Sequence, residues 1–257
     1  MKLIELTMPL DHEWMPDEVL PNSIRFFLGP KDHQEKGIVL GSDTGTCLTL
    51  PSMFSAFRKT ARLDALPTEK LVLRPTAVAN ILKDEGEDIN RTDVEKALDS
   101  VRLRTGEALL VRTGWGDRPS QERRGGSYVL RSPYFSIEAA EFLGKRMKDT
   151  QSDLLLVDTA LMGWPGKYLI PEWCSLLPMP APESAEARMY LHLYTAEKAS
   201  EDFAVELTFA RLGIITVRKL VYSGRIQKER FKIIVAPLKI VRGVASTCRV
   251  VAVEEEG

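Results

Sequence analysis

Residues 41–54 gather polar side chains whose types and spacing could do chemistry. Within this stretch, Asp43, Cys47 and Thr49 follow one another at offsets of four and two residues. Side chains two residues apart lie on the same face of an extended segment. A carboxylate, a thiol and a hydroxyl before Pro51 therefore predict a strand or turn that lines a pocket. The same residues also suit a buried turn, in which short polar side chains bond to the backbone.

The stretch also resembles a known motif. Residues 43–53 read D-T-G-T-C-L-T-L-P-S-M. They resemble the signature H-x-G-T-H-x-D-x-P-x-H of the cyclase / kynurenine formamidase family of metal-dependent amidohydrolases. The matching residues are Gly45, Thr46 and Pro51. The three histidines and the aspartate of the signature are replaced by Asp43, Cys47, Met53 and Thr49, respectively. The spacing of the signature is kept, while its metal-binding side chains are changed.

Other parts of the chain resemble the same family. Residues 106–115 read G-E-A-L-L-V-R-T-G-W, close to the family pattern G-D-x-V-L-x-R-T-G-W. Asp158 and Thr159 match a family G-x-D-T, and residues 231–253 resemble its ending. The resemblance implies the family fold, an α/β fold of the swivelling β/β/α type, in which a mixed sheet curls toward a barrel with flanking helices. It also implies one domain over residues 1–257 and assembly as a homo-oligomer, a dimer or tetramer.

The resemblance places two further site residues. The family metal also takes a histidine and a glutamate twelve residues apart, at a helix end and on the next strand. Gly213 marks that helix end here, and the two positions hold Glu206 and Arg218. Zinc and manganese bind through imidazole, thiolate or carboxylate groups, whereas a guanidinium cannot lose its proton and cannot bind a metal. The three histidines of the chain lie outside the motif, at His12, His33 and His192.

The changed positions allow two interpretations. Asp43, Glu206 and Arg218 could form a buried salt-bridge network that only holds the fold. Alternatively, one carboxylate could be a general acid or base whose pKa is set by the other carboxylate and by Arg218. Arg218 could then bind a substrate carboxylate or polarise a carbonyl. Cys47 could be a nucleophile, but the motif offers no histidine to activate it.

We therefore expect a metal-independent enzyme that closes, opens or isomerises a ring on a small organic acid, amide or ester by acid–base catalysis. Asp43 and Glu206 are the predicted proton-transfer groups and Arg218 the electrostatic one. The residues predicted to line the substrate pocket are Trp14, Thr46, Cys47, Thr49 and Met53. No metal or other cofactor is expected. Two alternatives stay open: a metal-dependent formamidase-type hydrolase with Asp43, Cys47 and Glu206 as ligands, and a catalytically inactive binding or scaffold protein.

Length and charge limit the classes of function. The chain has 257 residues, with 35 Lys and Arg against 36 Asp and Glu, so no basic excess points to nucleic acid. No apolar run is long enough to cross a bilayer, and the start has no signal-peptide core. Three widely spaced cysteines predict reduced thiols in a cytoplasmic protein. The expected partner is a small-molecule substrate.

The elements that must position these residues follow from hydrophobic periodicity and from turn and cap signals. Helices are predicted over residues 53–63, 90–98, 136–147 and 204–212. Strands are predicted over residues 3–10, 71–73, 76–82, 106–115, 154–159, 214–220, 231–241 and 247–253. Pro75 is predicted to break the second and third of these strands apart. Residues 121–132 and 164–182 are predicted loops.

Overall fold

A computed structural model of the chain describes residues 1–10, 24–27, 37–42, 44–57, 59–118, 128–129, 131–163 and 203–255. The described helices are α1 (Arg91–Val101), α2 (Ile137–Asp149) and α3 (Ala204–Arg211). The described strands are β1 (Lys2–Glu5), β2 (Ile24–Phe27), β3 (Gly37–Leu40), β4 (Cys47–Thr49), β5 (Arg74–Asn80), β6 (Asp88–Ile89), β7 (Ala108–Arg112), β8 (Tyr134–Phe135), β9 (Leu154–Val157), β10 (Ile215–Arg218), β11 (Arg230–Pro237) and β12 (Ala245–Glu254).

The main sheet closes on itself. Seven strands follow one another in the order β12, β11, β5, β7, β9, β10 and β4, and β4 pairs again with β12. β1 pairs with residues 251–254 of β12, beyond the stretch 245–247 that pairs with β4. The strands β5, β7, β9 and β10 are parallel, and the other pairs of the ring are antiparallel. The predicted mixed sheet curled toward a barrel is therefore confirmed.

Two apolar cores lie on the two faces of this barrel. Because side chains alternate along a strand, Leu154 and Leu156 of β9 face the interior, where they pack with other strand residues. Leu155 and Val157 of the same strand face outward and pack against the helices. The sequence of β9 is a continuous apolar run because both faces of this strand are covered.

Local signals place the starts of α1 and α2 and the end of α3 where the sequence predicts them. Asn90 caps α1 in a capping box with Asp93, and the Ser136 hydroxyl accepts a hydrogen bond from the Ala139 amide at the start of α2. Gly213 follows α3 with a φ of 76°, a conformation that glycine adopts without steric cost. Within the described ranges, no helix combines the length and the apolar character needed to cross a bilayer.

The helix predicted over residues 53–63 is wrong. The segment forms separate short turns, Pro51–Met53, Ser55–Phe57 and Leu63–Ala65. Phe54 ends the first turn with extended backbone at a ψ of 135°, which interrupts helical hydrogen bonding. The Phe54 ring instead packs edge-to-face on Phe203, with ring centres 6.4 Å apart. A tertiary contact therefore decides the conformation of this segment.

The predicted break at Pro75 is also wrong. β5 runs through Pro75, which lies opposite Lys232 of β11. Pro75 is the second residue of the strand, near its end, where one lost ladder hydrogen bond is tolerated. Residues 71–73 form a turn instead of a strand, and Leu73 has a φ of 54°.

Candidate active site on the outer face of strands β4 and β10

The centre of the candidate site is a pair of residues that face each other across β4 and β10. Cys47 lies opposite Arg218 in the antiparallel register, so their side chains share one face of the sheet. Arg218 Nη2 donates to Cys47 Sγ at 3.7 Å. Both residues are buried, with 0% of Cys47 and 7% of Arg218 exposed. Two positions far apart in the sequence thus meet where the resemblance places family metal ligands.

A second polar pair continues the same face. Thr49 of β4 lies opposite Thr216 of β10, two residues along each strand from the first pair. The intervening residues, Leu48 and Val217, point into the barrel interior. The outer face of this strand pair therefore carries Cys47, Arg218, Thr49 and Thr216, in place of the aliphatic side chains usual under a helix. We call these four residues the polar strip.

Helix α3 brings Glu206 to the same side of the barrel. Glu206 lies in the first turn of α3, and α3 packs against the 51–53 turn that follows β4. The carboxylate of Glu206 lies beside Gly163, which follows β9. Among the described residues, no ion pair joins Glu206 to Arg218, so this form of the expected pairing is not seen. The expected pairing of Asp43 with Arg218 stays a prediction, because Asp43 lies outside the described residues.

Thr46 and Met53, which are also predicted to bind substrate, are not part of the polar strip. The Thr46 hydroxyl donates to the Lys219 carbonyl at 2.7 Å and accepts from the Met8 amide at 2.8 Å. These bonds tie the segment after β1 to the residue that follows β10, which favours a structural role for Thr46. Met53 is 44% exposed at the end of its turn. Trp14 and the three histidines lie outside the described residues.

Asp158 organises the backbone at the carboxyl end of the parallel strands. It is fully buried and accepts from the Thr113 amide at 2.9 Å, the Thr113 hydroxyl at 2.7 Å and the Gly114 amide at 2.9 Å. Ser223 Oγ donates to it at 3.3 Å. Burial raises the pKa of Asp158, an effect that the hydrogen bonds from Thr113 and Gly114 oppose. The match of Asp158 to the family pattern is explained by this anchoring role.

Sequence reasoning missed Thr216 and Gly163. The signal for Thr216 was its offset of two from Arg218, which places both side chains on one face of a strand. No sequence pattern marks Gly163 as a site residue, because it matters only through its short distance to Glu206 in the folded chain.

The described residues do not fit a divalent metal. Within the described ranges, no group of three or more His, Cys, Asp and Glu residues converges as metal ligands would. Among the described residues, the candidate metal donors on this side of the barrel are Cys47 and Glu206, and Arg218 Nη2 lies 3.7 Å from Cys47 Sγ. A fixed cation in that position repels a second cation and cannot act as a ligand.

Comparison with known proteins decides the family. The Cyclase family model matches residues 4–160, which is more than half of the chain. The chain belongs to the Cyclase family. It is an enzyme of the cyclase kind that this family model describes. A search of curated proteins gave no significant match.

Solved structures of the same fold agree with this assignment. A potential metal-dependent hydrolase with cyclase activity has a TM-score of 0.67 and 16% identity, covering 100% of this chain and 99% of its own. An isatin hydrolase bound to the product analogue thioisatinate has a TM-score of 0.66 and 17% identity, covering 99% and 93%. Isatin hydrolase A from Ralstonia solanacearum has a TM-score of 0.63 and 18% identity, covering 99% and 92%. At these identities the similarity shows the fold alone.

Proposed function

We propose that this Cyclase-family enzyme is metal-independent and closes, opens or isomerises a ring on a small organic acid, amide or ester by acid–base catalysis. The observation that carries the proposal is the contact of Arg218 with Cys47. It puts a permanent single positive charge on the strand pair where the family signature places metal ligands. A guanidinium can supply electrostatic stabilisation without a metal, because it is always protonated and offers five donors.

The proposed roles follow from charge and position. Arg218 binds the substrate carboxylate or stabilises negative charge that develops on a carbonyl oxygen. Its burial strengthens this interaction, because the charge is poorly screened by water. Glu206 and Asp43 are the proposed proton-transfer groups, since general acid–base catalysis needs an ionisable group near the reacting ring.

The similarity to isatin hydrolases supports ring chemistry as the reaction class. Isatin, a cyclic amide, is therefore a reasonable first probe, together with an aryl formamide and a set of lactones. We expect no stoichiometric zinc or manganese by elemental analysis of the purified protein, and turnover of a ring substrate that is unaffected by a chelator.

The same experiment can overturn the proposal. Stoichiometric zinc or manganese that disappears in Cys47→Ala, together with turnover that a chelator abolishes, would establish a metal-dependent hydrolase instead. Binding of ring compounds without turnover of any of them would favour a scaffold protein.

We also propose that the enzyme acts as a homo-oligomer, a dimer or tetramer. The segment after β11 supports this, because Leu238, Ile240 and Val241 are all exposed. Clustered apolar side chains on a surface commonly mark an interface. Light scattering coupled to gel filtration tests the proposal, and a monomeric mass at micromolar concentration would contradict it.

A further inference from the structure

We propose that Thr216, together with Thr49, forms a hydroxyl subsite that binds a second polar group of the substrate while Arg218 holds its carboxylate. This inference rests on the proposed function, because it assumes that Arg218 binds an anionic group of a ring compound. It adds Thr216 as a specificity-determining residue and limits which acids can bind.

The sheet register sets the distance between the two binding points. The Thr49–Thr216 pair lies two residues from the Cys47–Arg218 pair on the same outer face. Two residues of an antiparallel strand span about 6.8 Å. The guanidinium of Arg218 is held over Cys47 by the contact of Nη2 with Sγ, so it stays at its own end of the polar strip.

The hydroxyl of Thr49 has no structural role among the residues that the structure describes. Thr49 Oγ1 is buried and has no hydrogen-bond partner among the described residues. Thr216 is only 8% exposed and lies directly opposite Thr49, so its side chain shares this face of the sheet. A buried hydroxyl without a partner destabilises a fold relative to an aliphatic side chain of the same shape.

Other buried threonines of the described ranges behave differently. The hydroxyl of Thr46 donates to the Lys219 carbonyl at 2.7 Å, and that of Thr113 donates to Asp158 at 2.7 Å. Thr208 on α3 donates to the Ala204 carbonyl at 2.9 Å. Thr49 differs from these residues, and a ligand that supplies the missing partner of its hydroxyl, with Thr216 opposite it, explains the difference.

An aromatic pair follows the threonine end of the polar strip along the chain. The rings of Phe54 and Phe203 meet 6.4 Å apart where the segment after β4 approaches the start of α3. Aromatic side chains favour a flat ring as neighbour. Together with the ring that the proposed function requires, the spacing of the two polar points favours a ring-bearing acid with a hydroxyl, carbonyl or amide group on the side of the ring opposite the carboxylate.

Calorimetric titration with benzoate, 2-hydroxybenzoate and 4-hydroxybenzoate tests the inference. The hydroxyl of 4-hydroxybenzoate lies across the ring from the carboxylate and can reach the threonine pair, whereas that of 2-hydroxybenzoate cannot. We expect 4-hydroxybenzoate to bind about 2- to 12-fold more tightly than the other two, the gain from one hydrogen bond. Thr216→Val should remove this gain and leave benzoate affinity unchanged, and Thr216→Ser should keep it.

The controls separate this inference from the proposed function. Arg218→Gln and Arg218→Lys, each checked for folding by circular dichroism, should weaken binding of all three acids. If binding depends on Arg218 but the 4-hydroxyl adds nothing, the subsite is overturned and the role of Arg218 stands. If no acid binds in an Arg218-dependent way, both are overturned. Without ligand, Thr216→Val should melt at the same or a higher temperature, and a clearly lower Tm would make Thr216 a structural residue instead.

Discussion

Gly163 lies so close to Glu206 that a methyl group at residue 163 would be 3.1 Å from Glu206 Oε2. The same methyl group would be 3.3 Å from Val205 Cβ on the preceding residue of α3. Both distances are shorter than ordinary van der Waals contacts, so the carboxylate or the helix would have to move by a few tenths of an ångström. The missing side chain at Gly163 therefore leaves the room that the carboxylate of Glu206, a proposed proton-transfer group, occupies.

Gly163→Ala should lower kcat by about 10-fold, because small displacements of catalytic groups are costly and 1 Å can cost about 10²-fold. Steady-state kinetics on a ring substrate measures the effect. The double variant with Glu206→Gln is the control. Since Gly163 acts through the Glu206 carboxylate, Gly163→Ala should add nothing once that carboxylate is gone. A full and additive loss in the double variant would contradict this coupling.

Removing the proposed proton-transfer groups should separate catalysis from binding. Asp43→Asn and Glu206→Gln conserve volume and remove the ionisable group. We expect at least one of them to reduce turnover by about 10²- to 10⁴-fold, the usual contribution of general acid–base catalysis. Ligand binding, measured by titration, should survive in the same variant. Full activity in both variants would move the proton transfer elsewhere, and His12 would be the next residue to test.

Asp158 should matter for stability more than for chemistry. Asp158→Ala leaves the buried Thr113 amide and the half-buried Gly114 amide without their acceptor. A buried unsatisfied donor costs about 1–3 kcal/mol, so we expect a loss of about 1–3 kcal/mol in the free energy of unfolding. Asp117→Ala is the matched control, because Asp117 accepts from the amide of exposed Gly224. A variant at Asp158 that keeps its stability and loses turnover would instead point to a catalytic role.

The capping box of α1 should make stability depend on pH. Burial by itself would raise the pKa of Asp93, but hydrogen bonds from Lys83 and the Asn90 amide outweigh it and lower the pKa below 3.8. A lowered pKa means that the native state favours the ionised form, so the contribution is present above pH 3.8 and is lost as pH falls through the native pKa. Asp93→Ala should cost about 1 kcal/mol at pH 7 and progressively less in acid.

Urea denaturation at pH 7 and at successively lower pH measures this change. Glu95→Ala on the same helix is the control, because the Arg91–Glu95 pair is exposed and should contribute at most about 0.5 kcal/mol. An equal cost of Asp93→Ala at every pH would show that the ionised carboxylate is not what stabilises the cap.

Features decided by neighbouring residues could be predicted from the sequence. Asn90, Ser136 and Gly213 mark helix ends by hydrogen bonds or backbone angles within a few residues of each other. Continuous apolar runs identified buried strands such as β9, and the family spacing brought positions 47 and 218 to one place. These signals sufficed for the class of fold and for part of the candidate site.

Features decided by distant contacts could not be predicted. The pattern over residues 53–63 has helical periodicity, yet Phe54 packs on Phe203, which no local signal reveals. Thr216 reads as an ordinary strand residue until the register places it opposite Thr49. Which strands pair, and in what register, depends on packing of the whole barrel, so the partners of a polar side chain stay hidden in the sequence.

The position of β4 between β10 and β12 has a consequence for biosynthesis. β4 spans Cys47–Thr49, whereas both of its neighbours lie beyond residue 214. During translation, β4 leaves the ribosome long before either neighbour exists, and its edges stay open until β12 arrives. The candidate site therefore assembles only near the end of synthesis. Nascent chains should need protection from association through these edges in the meantime.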